Sequence, residues 1–465
     1  MIMKLLLLCI LLICFSCEGI ISSKDIENNT TNQQSFNVLP ELVTSLNLQT
    51  GDALNELMYI SAISTDEAIE TSSVSAHNLL GQQNFGQFNS NVLRVYQKFQ
   101  ALAKDAHTAQ QTIHTLDTTI IKRNFNSSVL VNFQQADTLY RAYAMFYEAY
   151  ACYKLASNWK NAQLLHQTTS YVDSTLFTYT DAVLDSGISM LETLQTSIAK
   201  SETTPGEILH EGNEIQRLLA LMSYYSAYTN INRSKMASTS ALKQSLLQEA
   251  YNSYSAHKLT VQDYNVTVKN SIVYTFSNAT SARLVFNPSF LLDDERIAIY
   301  KPTDLRLQGS ATIDSIHGEF NNNIQASSYL QNRFSSSTIE VPIFHEKDNE
   351  SLLRAEIMYR ILEDRLTISS SLDAATTQNI QKLIHNALGF SKKRTKSTEE
   401  VSTARFTFST KDNEDIRKVE VKQFLLLAYL SVDFLEGTRF ETLRRLGEKP
   451  YRSSTSTEYA FPATY

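Results

Sequence analysis

Glycine and proline are scarce in this chain, with 12 and 7 residues among 465. These are roughly a third of the usual frequencies of about 7% and 5%. Tight turns draw on both residues, so an architecture of many short hairpins is hard to supply and the composition leans towards helix. Basic charge is not in excess either: 41 Lys plus Arg stand against 48 Asp plus Glu, a net charge of −7. This excludes the positive footprint expected of a nucleic-acid partner. Beyond the first residues, no apolar run is long enough to cross a bilayer. The best, Phe424 to Leu435, has the length of a buried helix.

Catalytic signatures are missing as well. There is no GxSxG elbow, HExxH, phosphate-binding glycine loop, dinucleotide fingerprint or calcium loop, so nothing points to an enzyme or a cofactor. "HEGNE" at His210 and "HEKDNE" at His345 bring histidine near acids without the His-x-x-x-His spacing that sets two imidazoles on one helical face. His107 and His114 lie two turns apart, too far for one ion unless other elements contribute ligands. Asp293 and Asp294 are adjacent and point apart, so they do not form a glycosidase pair. The expectation is no catalytic residue and no metal.

What is present is enough apolar surface for a large core, 43% hydrophobic and 10% aromatic residues. The chain opens with "MIMKLLLLCILLICFSCEG": Lys4, an apolar run from Leu5 to Phe15, then Ser16 before Cys17. This has the layout of a secretory signal, and a small residue directly before a cysteine resembles a lipobox. Residues 1–16 are then the signal and Cys17 the lipidated first residue; an ordinary cleaved signal is the alternative. Cys9 and Cys14 leave with the signal, so Cys152 is the one cysteine in the folded part and no intramolecular disulfide forms. Residues 17–35, rich in Asn, Thr and Ser, form a flexible tether. A eukaryotic secreted chain would instead use Asn29-Thr30-Thr31 and Asn278-Ala279-Thr280 as glycan acceptors.

Residues 36–465 are expected to form one helical domain. Apolar spacing of three and four predicts helices at Val92 to Leu116 and Asn132 to Ala156, the latter with Phe133, Ala136, Leu139, Tyr140, Tyr143, Phe146, Tyr147 and Tyr150 along one broad stripe. Further helices are expected at Ser174 to Lys200, Gly212 to Tyr228 and Ser240 to Ala256, giving repeat-like pairs over 36–258. Residues 259–349 are β-branched and read as loops with short strands. Helical pattern resumes over 350–465, at Glu350 to Thr367, Ala374 to Leu388 and Glu420 to Leu435.

Two places suit a ligand. Trp159, the only tryptophan, follows a predicted helix in "ASNWKNAQ" with Asn158 and Asn161 beside it, and is either a ligand contact or a plug at the helix end. Phe85 and Phe88 lie in the amide-rich loop "NLLGQQNFGQFNSN". A third feature is "EGTRFETLRRLGEKP", Glu436 to Pro450, which sets Arg439, Arg444 and Arg445 between Gly437 and Gly447. Arg439 and Arg445 are six positions apart and do not lie on one line of side chains, so they suit internal ties to carboxylates or carbonyls better than one anion site.

Several of these segments resemble the SusD/RagB family of surface lipoproteins. Glu436, Gly437, Arg439, Leu443, Arg445 and Gly447 keep the spacing of that family's Glu-Gly-His-Arg-Trp-Phe-Asp-Leu-x-Arg-x-Gly segment, with Thr438, Glu441 and Thr442 as departures. "RAYAMF" (Arg141 to Phe146), "DERIAIY" (Asp294 to Tyr300), "LLRAEIMYRILED", "TDEA" (Thr65 to Ala68) and "YAFP" (Tyr459 to Pro462) look like further family elements in the same order. The family's Gly-Asp-x-Pro loop after the Arg-Ala helix is replaced by "SNWKNAQ". The resemblance implies a mainly α, SusD-like fold of tetratricopeptide-like helix pairs with an irregular middle region. It also implies an outer-membrane lipoprotein facing outward, which binds a glycan or peptide and acts as the lid of a SusC-like TonB-dependent transporter. Arg444 occupies a position the family varies and is expected to face solvent. The alternatives are a helical-repeat scaffold that binds only protein partners and a secreted hydrolase with an unrecognised site.

Overall fold

The computed structural model describes residues 34–65, 68–70, 89–115, 127–167, 170–200, 212–257, 265–269, 284–286, 340–366, 378–384, 386–387, 414–432 and 437–448. In chain order the elements are α1 (Gln34–Ser64), β1 (Ala68–Glu70), α2 (Ser90–Thr115), α3 (Ser127–Asn158), β2 (Asn161–Gln163), β3 (Ser170–Val172), α4 (Asp173–Lys200), α5 (Gly212–Met236) and α6 (Ser240–Ala256). They continue with β4 (Asn265–Lys269), β5 (Leu284–Phe286), β6 (Glu340–His345), α7 (Glu346–Glu363), α8 (Glu414–Val432) and α9 (Arg439–Leu446). The described residues are mostly helical, as the scarcity of Gly and Pro predicted.

Successive helices pack on one another, α1 on α2, α2 on α3, α3 on α4, α4 on α5 and α5 on α6. This is the repeat-like stack expected over the first half of the chain. Local signals set the helix ends. Asn89 caps α2, its Oδ1 accepting from the Asn91 and Val92 amides at 3.0 and 3.3 Å, and Thr239 caps α6 through the Leu242 amide.

The aromatic helix α3 is the centre of the core. Its residues are not confined to one stripe: from Ala144 to Trp159 every side chain is buried. The single-face expectation is corrected because α1, α2, α4, α5 and α9 all touch α3. Ala142, Ala144, Ala149, Ala151 and Ala156 let neighbours approach, while Phe146, Tyr150 and Tyr153 pack against Tyr225 of α5. The helix α1 buries Ala53, Leu54, Leu57, Met58, Ile60 and Ile63. Burial on several sides erases the alternation of apolar and polar residues that marks an amphipathic helix.

The sheets are small and two-stranded: β1 with β5, β2 with β3 and β4 with β6, all antiparallel. The β4–β6 ladder has a bulge between Val266 and Thr267. Through β5, the middle region is tied back to β1 just after α1. Among the described residues, no helix is long and apolar enough to cross a membrane.

Candidate functional site at the C-terminal arginine segment

The helix α9 is eight residues long and fits between two glycines with different duties. Gly437 has φ 77°, and a Cβ there would meet Met58 of α1 at 2.8 Å from Cγ and 3.0 Å from Cα. Both the backbone and the close approach therefore require glycine. Gly447, at φ 69°, faces open space and closes α9 with a left-handed turn. Its amide donates to the Arg444 carbonyl at 3.2 Å and the Glu448 amide to the Leu443 carbonyl at 2.8 Å, a Schellman arrangement.

Almost the whole surface of α9 is covered, so its charged residues meet buried partners. Arg439 donates from Nε to the Thr65 carbonyl at 3.2 Å, just beyond α1. Glu441 accepts from Lys154 Nζ of α3 at 2.8 Å, with both side chains nearly inaccessible. Arg445 Nε donates to Glu356 of α7 at 2.9 and 3.1 Å. Glu356 also accepts from Tyr429 Oη of α8 at 2.6 Å, and Tyr429 meets Tyr228 of α5 hydroxyl to hydroxyl at 3.0 Å. The Arg445 guanidinium lies 4.5 Å from the Tyr228 ring centroid and 5.2 Å from that of Tyr429. Arg360 completes the set by donating to the Arg445 carbonyl.

Burial alone would push the Glu356 carboxyl up, but Arg445 and Arg360 outweigh it and hold the group below the usual carboxylate range. Burial pushes the Tyr429 hydroxyl well up, and the Glu356 charge beside it acts in the same direction. A charged acceptor and a neutral donor are thus fixed against each other.

Arg444 corrects an expectation. It is not solvated but caps the C-terminal end of α3, donating to the carbonyls of Ala156, Ser157 and Trp159 at 2.7, 2.9 and 3.2 Å and to Asp173 of α4 at 2.8 Å. The open carbonyls and negative dipole end of a helix attract a guanidinium. One arginine therefore joins the end of α3 to the start of α4.

Trp159 and Asn158, expected as ligand contacts, are both 0% exposed. The Trp159 indole packs against Tyr96 and Phe99 of α2 with ring centroids 5.6 and 6.3 Å apart. Asn158 donates to the Lys154 carbonyl at 2.9 Å. They plug the end of α3 and present no face to a ligand, a correction that follows from the tight seating of α2 there. Cys17, Phe85, Phe88 and Glu436 lie outside the described residues. The Cys152 thiol is fully buried and pushed well up by burial, then by Glu148, so it is held protonated.

Two clusters of possible metal ligands occur among the described residues. In one, Asp181 is already paired with Arg233 and accepts from Ser226 and Asn230. In the other, His107 of α2, Glu148 of α3 and His166 after β2 converge. His107 is the histidine weighed from sequence against His114; its actual neighbours come from other elements, which spacing along one helix does not reveal.

The helical stack is a SusD-like fold. The structure is similar to that of a SusD superfamily protein from Bacteroides vulgatus ATCC 8482, with a TM-score of 0.54 at 12% identity over 88% of each chain. A second SusD superfamily protein from the same organism gives 0.50 at 12% identity over 90% of each chain. No protein-family model matches the sequence, and no curated protein does. The chain has the SusD-superfamily fold, as the ordered sequence elements implied.

Proposed function

We propose that this chain is a divergent SusD/RagB-type surface lipoprotein. In this reading it is anchored through Cys17 to the outer membrane, captures a glycan or peptide outside the cell and passes it to a SusC-like TonB-dependent transporter, over which it acts as a lid. The carrying observation is the match of fold over 88% of both chains, and the Ser16-Cys17 junction after the apolar leader supports the anchor. The mechanism is capture and handover without bond chemistry. The buried charges of α9 serve to hold the C-terminal segment against the stack, so ligand contacts belong to surfaces other than Trp159 and Asn158.

Labelling with a fatty-acid probe should mark the wild-type chain and not Cys17→Ala; equal label in both refutes the anchor. A pull-down from detergent-solubilised outer membranes should recover a large β-barrel protein, and recovery of none refutes the lid role. Screening the chain against oligosaccharides and peptides separates capture from the scaffold alternative, which predicts protein partners and no soluble ligand.

A further inference from the structure

We propose that His107, Glu148 and His166 form a binding site for one divalent cation of the zinc class. This goes beyond the proposed nutrient capture and does not depend on it.

Glu148 is 1% exposed, and a buried carboxylate requires compensating charge. Its partners are His107 Nδ1 at 3.2 and 3.3 Å, His166 Nε2 at 3.3 Å, and the hydrogen-bond donors Tyr179 Oη and Gln110 Nε2. Neither lysine nor arginine is among these partners. Positive charge at this carboxylate is available only through the imidazoles, as a proton on a ring or as an ion that the rings hold.

The ring environments favour the ion. His166 is 7% exposed, and its Nδ1 is buried without a hydrogen-bond partner. Its Nε2 faces a carboxylate oxygen and the Tyr179 hydroxyl, both at 3.3 Å, and the Gln167 amide nitrogen at 3.4 Å; the carboxylate needs an N–H there and the amide a lone pair. The Gln167 amide is oriented by Tyr171, which donates to its Oε1. One nitrogen cannot meet both demands. A cation instead binds the imidazole lone pair and the carboxylate together.

Distances agree with this assignment. Metal–ligand bonds of about 2.0–2.1 Å in a tetrahedron place neighbouring donors roughly 3.3 Å apart, the spacing found for both His–Glu edges. Two imidazoles and one carboxylate suit zinc better than magnesium or calcium. Gln110 and Tyr179 already orient the carboxylate by donating to its two oxygens. The two imidazole rings stack with centroids 4.3 Å apart and an interplanar angle of 11°, so one ring must turn for both lone pairs to meet one ion. His107, the more exposed at 32%, has room. Its Nε2 lies 3.1 Å from the Gln111 amide, which on flipping accepts an Nε2–H and leaves Nδ1 for the metal. The ion would cross-link α2, α3 and the segment between β2 and β3.

The full chain, purified in detergent and stripped with chelator, is titrated with Zn²⁺ and separately with Co²⁺. One equivalent is expected to bind, with visible four-coordinate Co²⁺ bands and a rise in Tm. His166→Ala and His107→Ala should lose both effects, while His114→Ala on the same helix keeps them. Because the His166 side chain is buried, the variant at the more exposed His107, checked for unchanged helicity, keeps the test decisive if His166→Ala fails to fold. Absence of cobalt bands and of a Tm shift in the wild type overturns the site. So does an equal zinc response in His107→Ala. Stability that depends on pH but not on zinc overturns it as well, by assigning the compensating charge to a proton.

Discussion

Two stretches of α3, less than two helical turns apart, face the same physical problem and solve it differently. At its C-terminal end, Lys154 neutralises the buried Glu441, while on the adjoining elements Arg445 and Arg360 neutralise Glu356. A guanidinium stays charged across the accessible pH range. Around Glu148, by contrast, the neighbours are imidazoles, a phenol and an amide. The first arrangement is permanent and fastens α9 to the stack. The second is conditional, because it depends on what the imidazoles carry.

The largest expected effect comes from breaking the permanent pairing. Glu356→Ala strands Arg445 in the core and should cost roughly 3–5 kcal/mol, read from denaturant unfolding. Glu148→Ala, which strands hydrogen-bond donors but no lysine or arginine, should cost roughly 1–3 kcal/mol. Equal losses would erase the distinction between the two regions.

The two glycines around α9 give the next contrast. Gly437→Ala meets both a positive φ and overlap with Met58, a loss of roughly 2–4 kcal/mol. Gly447→Ala meets only the positive φ, about 1 kcal/mol. A reversed order would show that α9 is held at its C-terminal side instead.

Arg444→Ala should cost about 1–2 kcal/mol through the lost charge-assisted bonds at the end of α3. Trp159 is a ready reporter because it is the only tryptophan and its carbonyl accepts from Arg444. Its emission in the wild type should be blue-shifted and resist acrylamide quenching. Ready quenching in the folded chain would contradict its role as a plug.

The smallest effect is one of acidity. Glu356 and Glu148 both have folded carboxyls held below the usual range. Their contribution is therefore full above the unfolded value of about 4.3 and is lost as pH falls through the folded values. Unfolding midpoints of the metal-free chain should decline below about pH 4.3. Glu356→Gln should flatten that decline, and an unchanged acid limb would refute its share.

Much of the helical frame was legible in the residues. The expected starts of α2, α4, α5 and α6 follow from helical patterning and fall within two residues of the observed bounds. The helix α5 runs eight residues beyond the expected Tyr228 because Asn230, Asn232 and Ser234 are buried polar groups inside the helix, and they look like a loop to a pattern of apolar spacing. The α1 helix escaped for a related reason, being buried on several sides. Arg439 and Arg445 could be read as internal ties because a separation of six positions on a helical segment keeps them off one line of side chains. Arg444 could not, since its partners lie at the far end of α3, nearly three hundred residues earlier.

The sequence by itself determined that this chain is mainly helical, that α3 is its aromatic centre and that a glycine-bracketed arginine segment marks the C-terminal part. These follow from periodicity and backbone preference, which are local properties. Only the tertiary structure decided which charges meet. It buried Trp159, turned Arg444 inward and gathered His107, Glu148 and His166 from three elements. Such meetings depend on how helices distant in sequence stack, and no local spacing records that.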